Sequence, residues 1–553
     1  MQWAIAVVAL GLVALAVYRA RHEMSRRLQI AFVVAACAWT AYTVTRPPGL
    51  FSGDEGVKLV QTLAVADGQL SLTYPADVVD PSHAAFPFRP PWVVNRGHRH
   101  YGIYSTNFTA PSAIGWRLFG MWGLHLLPLL GGLLALWSTL RIAQRVFARD
   151  GWALACGAVL LTTPLVLNAT MFNEHALATG MLAFAVYAAI IEPRRRDLVL
   201  AGLALGVAIT IRLELVAVLP AYTVMVAMLA PGVRGAFVRL AWIAGAAALP
   251  VAIFAIAGFA TIGVLTPSMD PTYLKSVQLG RDGLAPKDFT KLTHVGVTLL
   301  AWPLALSVLH LRHRVLRLVH TLALLGLLIA WLVGCARYAE IAHDKLPGRL
   351  FGHLLVATPV LAVGLTLGRT PRDATQGQRI ASAMWAFAIA GSAAVTILNP
   401  VAAGLRVGDR YLLPMLPFWA IAAVAAVQRR KLLLVVAVPA LALGIFTLVC
   451  NHGLMQRIRT TNADTVADVR SLGDRYVAAY LFWGPQVVAP VWPDKAVLGG
   501  EWTNSAILER IRARGETGII TVNNGKLTQP NLTRATIRTR GKRVSRYQFA
   551  PRP

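Results

Sequence analysis

The sequence predicts an all-α polytopic membrane protein of about fourteen transmembrane helices, with a large first external loop and a small external α/β appendage. Three observations carry that expectation. Of 553 residues, 56% are hydrophobic and only 14% are charged, where a soluble domain carries about 25% charged residues. The apolar residues fall in runs of roughly 17–25, the length of a membrane-crossing helix. The basic excess, 53 Lys+Arg against 25 Asp+Glu for a net charge of +28, lies largely in short connectors between those runs, where positive charge fixes topology. A soluble enzyme, a disordered chain and a coiled coil are excluded by composition, and a nucleic-acid partner by where the basic residues fall.

The elements follow in order. Trp3 to Tyr18 lacks the basic segment of a signal peptide and is followed by Arg19, Arg21, Arg26 and Arg27, so it reads as a retained helix with its C-terminal end inside. A second span, Leu28 to Thr45, then runs outward and leaves residues 46–115 outside. Later basic connectors fall at Arg141–Arg149, Arg194–Arg196, Arg234–Arg239, Arg312–Arg317, Arg369–Arg379 and Gln428–Lys431. Each pair of neighbours leaves room for one outward and one inward helix, which puts every connector inside and both termini outside. Between Leu198 and Ala230 the run is long enough for two short spans but is interrupted by Arg212 and Glu214. Further external loops are expected near 263–294, 337–349 and 399–410. The chain therefore divides into a transmembrane part, 1–450, and an external α/β part, 451–553. The latter shows alternating segments at Tyr476–Phe482, Val487–Val491 and Gly518–Val522 and a helix-like stretch at Ser505–Arg514. Cys37, Cys156, Cys335 and Cys450 have no CxxC spacing, which points to small apolar packing residues.

Ionisable groups at a membrane edge are functional candidates, because burying them is costly unless they are paired or wet. Here they gather on the external side. Ser52-Gly53-Asp54-Glu55 has the form of a capping box opening a helix along the membrane, with Val57, Val60 and Ala64 on one face. Phe172-Asn173-Glu174-His175 also reads as a helix start, with Asn173 as cap. Two acidic helix starts on one aqueous surface, in a chain so poor in carboxylates, point beyond capping. Arg212, Lys345, Arg349, Arg410 and Arg337 stand at external ends against the positive-inside tendency. They are either local partners of Glu214, Glu340, Asp344 and Asp409 or ligands for a phosphate, whose oxygens accept paired guanidinium donors. His83, His98, His100, His343 and His353 add imidazoles on that side without HxxxH or HExxH spacing, so no metal site is assigned.

At these residues the sequence resembles the type-C glycosyltransferases, multi-span enzymes that take sugars from polyprenyl-phosphate donors and include protein O-mannosyltransferases and aminoarabinose transferases. Asp54-Glu55 matches the family's acidic pair in the first external loop, and Tyr101 to Pro111, with Tyr104 and Ser105, approximates its tyrosine-serine segment. Glu174-His175 looks like its second acidic turn, Gly202 to Glu214 is similar to its glycine-rich helix ending in arginine, and Asp409 to Pro417 to its late Arg-Tyr helix start. An extra N-terminal span and the lack of a Trp-Trp-Asp signature are departures, the second arguing against whole-glycan transfer to asparagine. The resemblance implies an inverting transferase at the outer face of the plasma (inner) membrane, with Asp54 as general base and Glu55 secondary to it. It further implies Arg410, with Arg212 and Lys345 or Arg349, on the donor phosphate, and Glu174, His175 and Tyr104 toward the acceptor. It implies a polyprenyl-phosphate sugar donor and a lipid, glycan or protein acceptor; no cofactor is assigned, and there is room for a divalent metal. The alternatives are a polysaccharide ligase or polymerase with a lipid-linked oligosaccharide, and a transporter or flippase of lipid-linked sugars, which would favour polar groups at the bilayer midplane.

Overall fold

The computed structural model describes residues 24–46, 49–90, 92–190, 194–266, 269–271, 358–367, 374–398, 410–479, 484–500, 502–522, 532–535 and 543–550, with residues 10, 11, 14 and 18 of the first segment, which are helical. The chain is mainly helical. Helix α1 (Arg26–Val44) is capped by Ser25, whose hydroxyl accepts from Leu28 N. Helix α2 (Gly53–Ala66) and a hairpin of β1 (Val93–Arg96) and β2 (Arg99–Gly102) follow, then α3 (Thr106–Phe119), capped by Ser105. Next come α4 (Leu126–Val146), α5 (Asp150–Leu161), α6 (His175–Ile190), α7 (Arg195–Ile211), α8 (Leu219–Leu229), α9 (Gly232–Ile262), α10 (Gln376–Leu398), α11 (Leu416–Arg429) and α12 (Leu434–Ser471). After β3 (Tyr476–Ala479) and β4 (Ala496–Leu498) come α13 (Ser505–Ala513), β5 (Gly518–Val522), β6 (Leu532–Ala535) and β7 (Val544–Phe549).

Among the described residues five helical stretches are long and apolar enough to cross a membrane: Arg26–Val44, Thr106–Val146, Gly232–Ile262, Arg410–Arg429 and Lys431–Ser471. Shorter apolar helices accompany them at Asp150–Leu161, His175–Ile190 and Leu213–Leu229. Expected spans between 272 and 357, and the connector Arg312–Arg317, lie outside the described residues, and part of the expected fourteen lies there with them. The interrupted run 198–230 resolves into two helices: α7 stops at Arg212, a single 3-10 stretch Leu213–Val218 turns the chain, and α8 begins at Leu219-Pro220. Gly202 and Gly206 of α7 face the backbone of α9. A Cβ on them would come within 2.3 Å of Ile243 O and 2.5 Å of Ala247 O, which is why this helix carries glycine at that spacing.

Two local expectations are corrected. Helix α2 does not present one apolar face to a membrane surface: Val57, Val60 and Ala64 are buried, and so are Gly56, Lys58, Leu59, Gln61 and Thr62. The turn Gly484–Val487 lies against it so closely that a Cβ on Gly56 would meet Gln486 O at 2.2 Å. The capping box also forms differently. Ser52 makes no side-chain cap bond, and the Glu55 carboxylate, which also feels the Ser52 N–H, accepts from Phe51 N at 2.7 Å.

The segment after α12 forms a five-stranded sheet of order β4-β3-β5-β7-β6, parallel among β4, β3 and β5 and antiparallel at β7 and β6. Val487–Val491 is not a strand. Pro485 and Pro490 break the ladder, and the chain makes the short helical turns Gly484–Val487 and Ala489–Val491. Residue 451 falls within the continuous helix α12. This sheet domain packs on the first loop, where Gly499 N donates to Ala85 O at 2.6 Å and Phe88 faces Trp492 at 5.4 Å between centroids. The hairpin of that loop meets the end of α9, with Arg96 Nη2 2.5 Å from Asp270 Oδ2 and its Nε donating to Ile262 O. The first loop, the α9 exit and the sheet domain therefore share one side. Contacts between basic connectors occur at the other end: a Cβ on Gly377 would meet Val146 O, Arg429 donates to Leu367 O, and Arg195 lies over Trp242.

Candidate active site

Five chain segments converge where α2 begins. Asp54, in the first turn of α2, places Oδ2 2.5 Å from Arg410 Nη1, while its Oδ1 accepts from Trp92 Nε1 at 3.1 Å. Arg410 opens the 3-10 stretch Arg410–Met415 that leads into α11, and Pro414 and Pro417 fix this entry. Behind this pair lies a second, deeper group. Glu174, just before α6, is 2.7 Å from Arg212 Nη1 through Oε1 and 2.5 Å from Lys58 Nζ through Oε2. Arg212 also pairs with Glu214, and Lys58 donates to Asn173 Oδ1 at 2.8 Å. Aromatic rings join the two groups. Tyr411 takes the guanidinium of Arg212 at 5.1 Å and of Arg410 at 5.5 Å, His175 meets it edge-on, and Tyr104 lies under Lys58 Nζ at 4.5 Å.

Exposure shows which end is open. Side-chain exposure is 22% for Arg410 and 16% for Asp54, but 4% for Glu174 and 1% for Lys58. The Asp54 pair is therefore the open end of the network. Burial by itself would raise the Asp54 carboxyl, but the charges of Arg410 and Lys58, with the bonds from Arg410 and Trp92, outweigh it and hold the group well below the usual carboxylate range. Burial likewise opposes ionisation of Glu174, and Lys58 and Arg212 overcome it. Tyr104 moves the other way: burial and the nearby carboxylates of Asp54 and Glu174 push its hydroxyl far up, so it stays protonated. Six charges stand in balance here, Asp54, Glu174 and Glu214 against Lys58, Arg212 and Arg410.

Six residues singled out from sequence thus come together: Asp54, Tyr104, Glu174, His175, Arg212 and Arg410. Glu55 stands apart. It is fully buried, bound to Phe51 N and turned toward Arg459, and burial raises its carboxyl despite that arginine. Lys345, Arg349, Arg337 and Asp409 lie outside the described residues, as do Glu340, Asp344, His343 and His353. Arg212 keeps its local partner Glu214 but adds the distant Glu174, and Asn173 serves Lys58. Lys58 and Trp92 carry no sequence signal of their own, although Lys58 at i+4 from Asp54 shares its helix face. His83 pairs with His100 at 2.7 Å and with Asp77 at 2.8 Å; burial and the neighbouring His83 and His98 lower His100 to about 4. Among the described residues no three His, Cys, Asp or Glu converge to hold a metal ion.

No family model matches the chain and no curated protein matches it. Among solved structures it is similar to ArnT from Cupriavidus metallidurans bound to undecaprenyl phosphate, at 13% identity and a TM-score of 0.49, over 95% of this chain and 99% of that one. It is also similar to the archaeal oligosaccharyltransferase AglB from Archaeoglobus fulgidus in complex with an inhibitory peptide and a dolichol phosphate, at 11% identity and a TM-score of 0.46, over 90% of this chain and 69% of that one.

Proposed function

We propose that the chain is a membrane glycosyltransferase that moves a sugar from a polyprenyl-phosphate-linked donor to an acceptor hydroxyl at the outer face of the plasma membrane, inverting the anomeric centre. The observation that carries this reading is the Asp54–Arg410 pair, a carboxylate and a guanidinium in contact at the open end of a buried charge network. The donor phosphate takes the Arg410 guanidinium, which offers it paired donors. That exchange withdraws the charge that depresses Asp54, so the carboxylate becomes a stronger base when the donor is in place. Asp54 then removes the proton of the acceptor hydroxyl as its oxygen attacks the anomeric carbon. The bond from that carbon to the phosphate oxygen breaks, and its electron pair leaves on polyprenyl phosphate, beside Arg410.

Arg212, already held by two carboxylates, contributes its field, and Lys345 or Arg349 are the further candidates for direct phosphate contact. The acceptor, a lipid, glycan or protein, enters past Tyr104, whose protonated hydroxyl faces Asp54. Glu174 and His175 hold Arg212 and Tyr411 in place. Glu55 acts on the helix start and not on the substrate. Grouping of the charges at one end of the helices, away from their middles, supports an enzyme over a transporter.

Two experiments test this reading. Arg410→Lys keeps a charge beside Asp54 but loses the paired donors, so donor affinity should fall roughly tenfold at unchanged melting temperature, given about 1.5–3 kcal/mol for a charged hydrogen bond. Asp409→Asn should do much less, and unchanged donor affinity in folded Arg410→Lys protein would remove Arg410 from the phosphate. For topology, a cysteine introduced at Ser71 should react with an impermeant maleimide in intact cells. Reaction only after permeabilisation would put the site on the wrong face for this function.

A further inference from the structure

A second cationic cluster lies away from the Asp54 pair, where the chain leaves α1 and runs along α12. Arg46, just past α1, donates from Nη1 to His452 Nε2 at 2.8 Å and stacks over the Tyr42 ring at 4.1 Å. Tyr42 Oη contacts His452 Nδ1. An imidazole that accepts from Arg46 at Nε2 carries its proton at Nδ1, toward Tyr42, so it is neutral and leaves the arginine charge unbalanced. Two turns along α12, on the same face, stands Arg459. Gly49 packs on the Arg459 backbone, and Asn462 donates to Leu50 O at 2.9 Å, so Gly49 and Leu50 lie along α12 beside Arg459.

Arg459 is only 4% exposed. One donor, Nη2, is used by Thr170 O at 2.5 Å, but the buried Nε has no partner. Among the described residues no carboxylate lies within ion-pair distance of Arg46 or Arg459; Glu55 gives its Oε2 to Phe51 N, and its charge, with the unbonded Oε1, acts on Arg459 from the buried side. Glu55 offsets Arg459 in part, so of these two guanidiniums within each other's field the charge left over is that of the half-exposed Arg46, open to an anion from the membrane side.

Height identifies the anion. On α12 the exposed apolar side chains run from Leu434 and Val435 to Phe446 and Val449 and end there, one turn before His452. On α1 the exposed Ile30 and Val34 give way to Tyr42 and Arg46. Arg46 therefore sits where lipid-facing surface stops, at the level of phosphates in the headgroup layer. We propose that Arg46 and Arg459, with Tyr42 and His452, form a binding site for a phosphate-bearing lipid headgroup between α1 and α12, separate from the Asp54–Arg410 site. The phosphate oxygens take the outward donors of Arg46, Arg459 adds its charge from beneath, and Tyr42 and His452 hold the Arg46 plane.

The test is the melting temperature of the purified full chain in neutral detergent, titrated with dihexanoyl phosphatidic acid, dihexanoyl phosphatidylcholine and inorganic phosphate. Phosphatidic acid should stabilise the protein saturably. Arg46→Gln, at a half-exposed position that tolerates the change, should weaken that response at least tenfold, and Arg46→Lys should weaken it less. Arg410→Gln should keep the response, which separates this site from the proposed donor site. Equal responses in wild type and Arg46→Gln, or a response lost only in Arg410→Gln, would overturn the proposal. Inorganic phosphate acting at the same concentration as phosphatidic acid would overturn the lipid assignment.

Discussion

Asp54→Asn is expected to lower kcat by about 10²–10⁴, the usual range for loss of a positioned general base, while the protein still folds and still binds donor. The substitution keeps the size of the side chain and an oxygen for Trp92 Nε1. It removes the charge, and with it both the ion pair to Arg410 and the ability to take a proton. Arg410, at 22% side-chain exposure, can hydrate when left alone, so folding should survive. Donor affinity should hold or improve, since the guanidinium no longer has to leave a carboxylate. The pH profile adds a second readout with a definite sign. In the free enzyme Arg410 and Lys58 depress the Asp54 carboxyl below the usual range, so the acid limb of kcat/KM lies low. With phosphate bound to Arg410 that depression is partly lost, and the acid limb of kcat should move to higher pH. Near-normal turnover in Asp54→Asn, with normal expression, would falsify the general-base role.

Much of this site was legible in the sequence for one physical reason. Charge at a membrane edge is rare and costly, so Asp54, Glu174, Arg212 and Arg410 stood out against an apolar background, and alternating basic connectors fixed their common side. What that background could not show is who pairs with whom. Arg410 pairs across 356 positions with Asp54, and Lys58 bonds Asn173 across 115; local spacing could offer only neighbours such as Asp409, outside the described residues, and a capping role for Asn173. Helix α2 was legible as a helix and misread as amphipathic, because its second face is covered by the Gly484–Val487 turn, far away in sequence. Capping chemistry misled similarly. The SxxE spacing was present, yet once buried the Glu55 carboxylate found Phe51 N closer. Val487–Val491 has strand-like alternation, and the flanking prolines, which cannot donate to a ladder, decide against it.

Glu174→Leu should destabilise the fold by about 3–5 kcal/mol, the cost of breaking a buried ion pair from one side. Lys58, at 1% side-chain exposure, would keep Asn173, the Tyr104 face and the more distant charge of Asp54, and its own charge has no route to water. Arg212 would retain Glu214, so the damage should centre on Lys58. That asymmetry makes a sharper prediction than the single variant. Lys58→Met alone should also destabilise, because Glu174 then keeps one cation in place of two. The double variant Lys58→Met, Glu174→Leu should recover most of the loss, since removing both members of a buried pair leaves no isolated charge. Acid should act on the wild type in the same direction. Glu174 is held below its ordinary value by Lys58 and Arg212, so its contribution is present above the unfolded carboxylate range and is lost as pH falls through the folded value. Melting temperatures of the four proteins at neutral and acidic pH would check this. Additive losses in the double variant would mean that Lys58 and Glu174 are held by separate surroundings, and the ion pair would then have no part in fixing the floor beneath the Asp54 site.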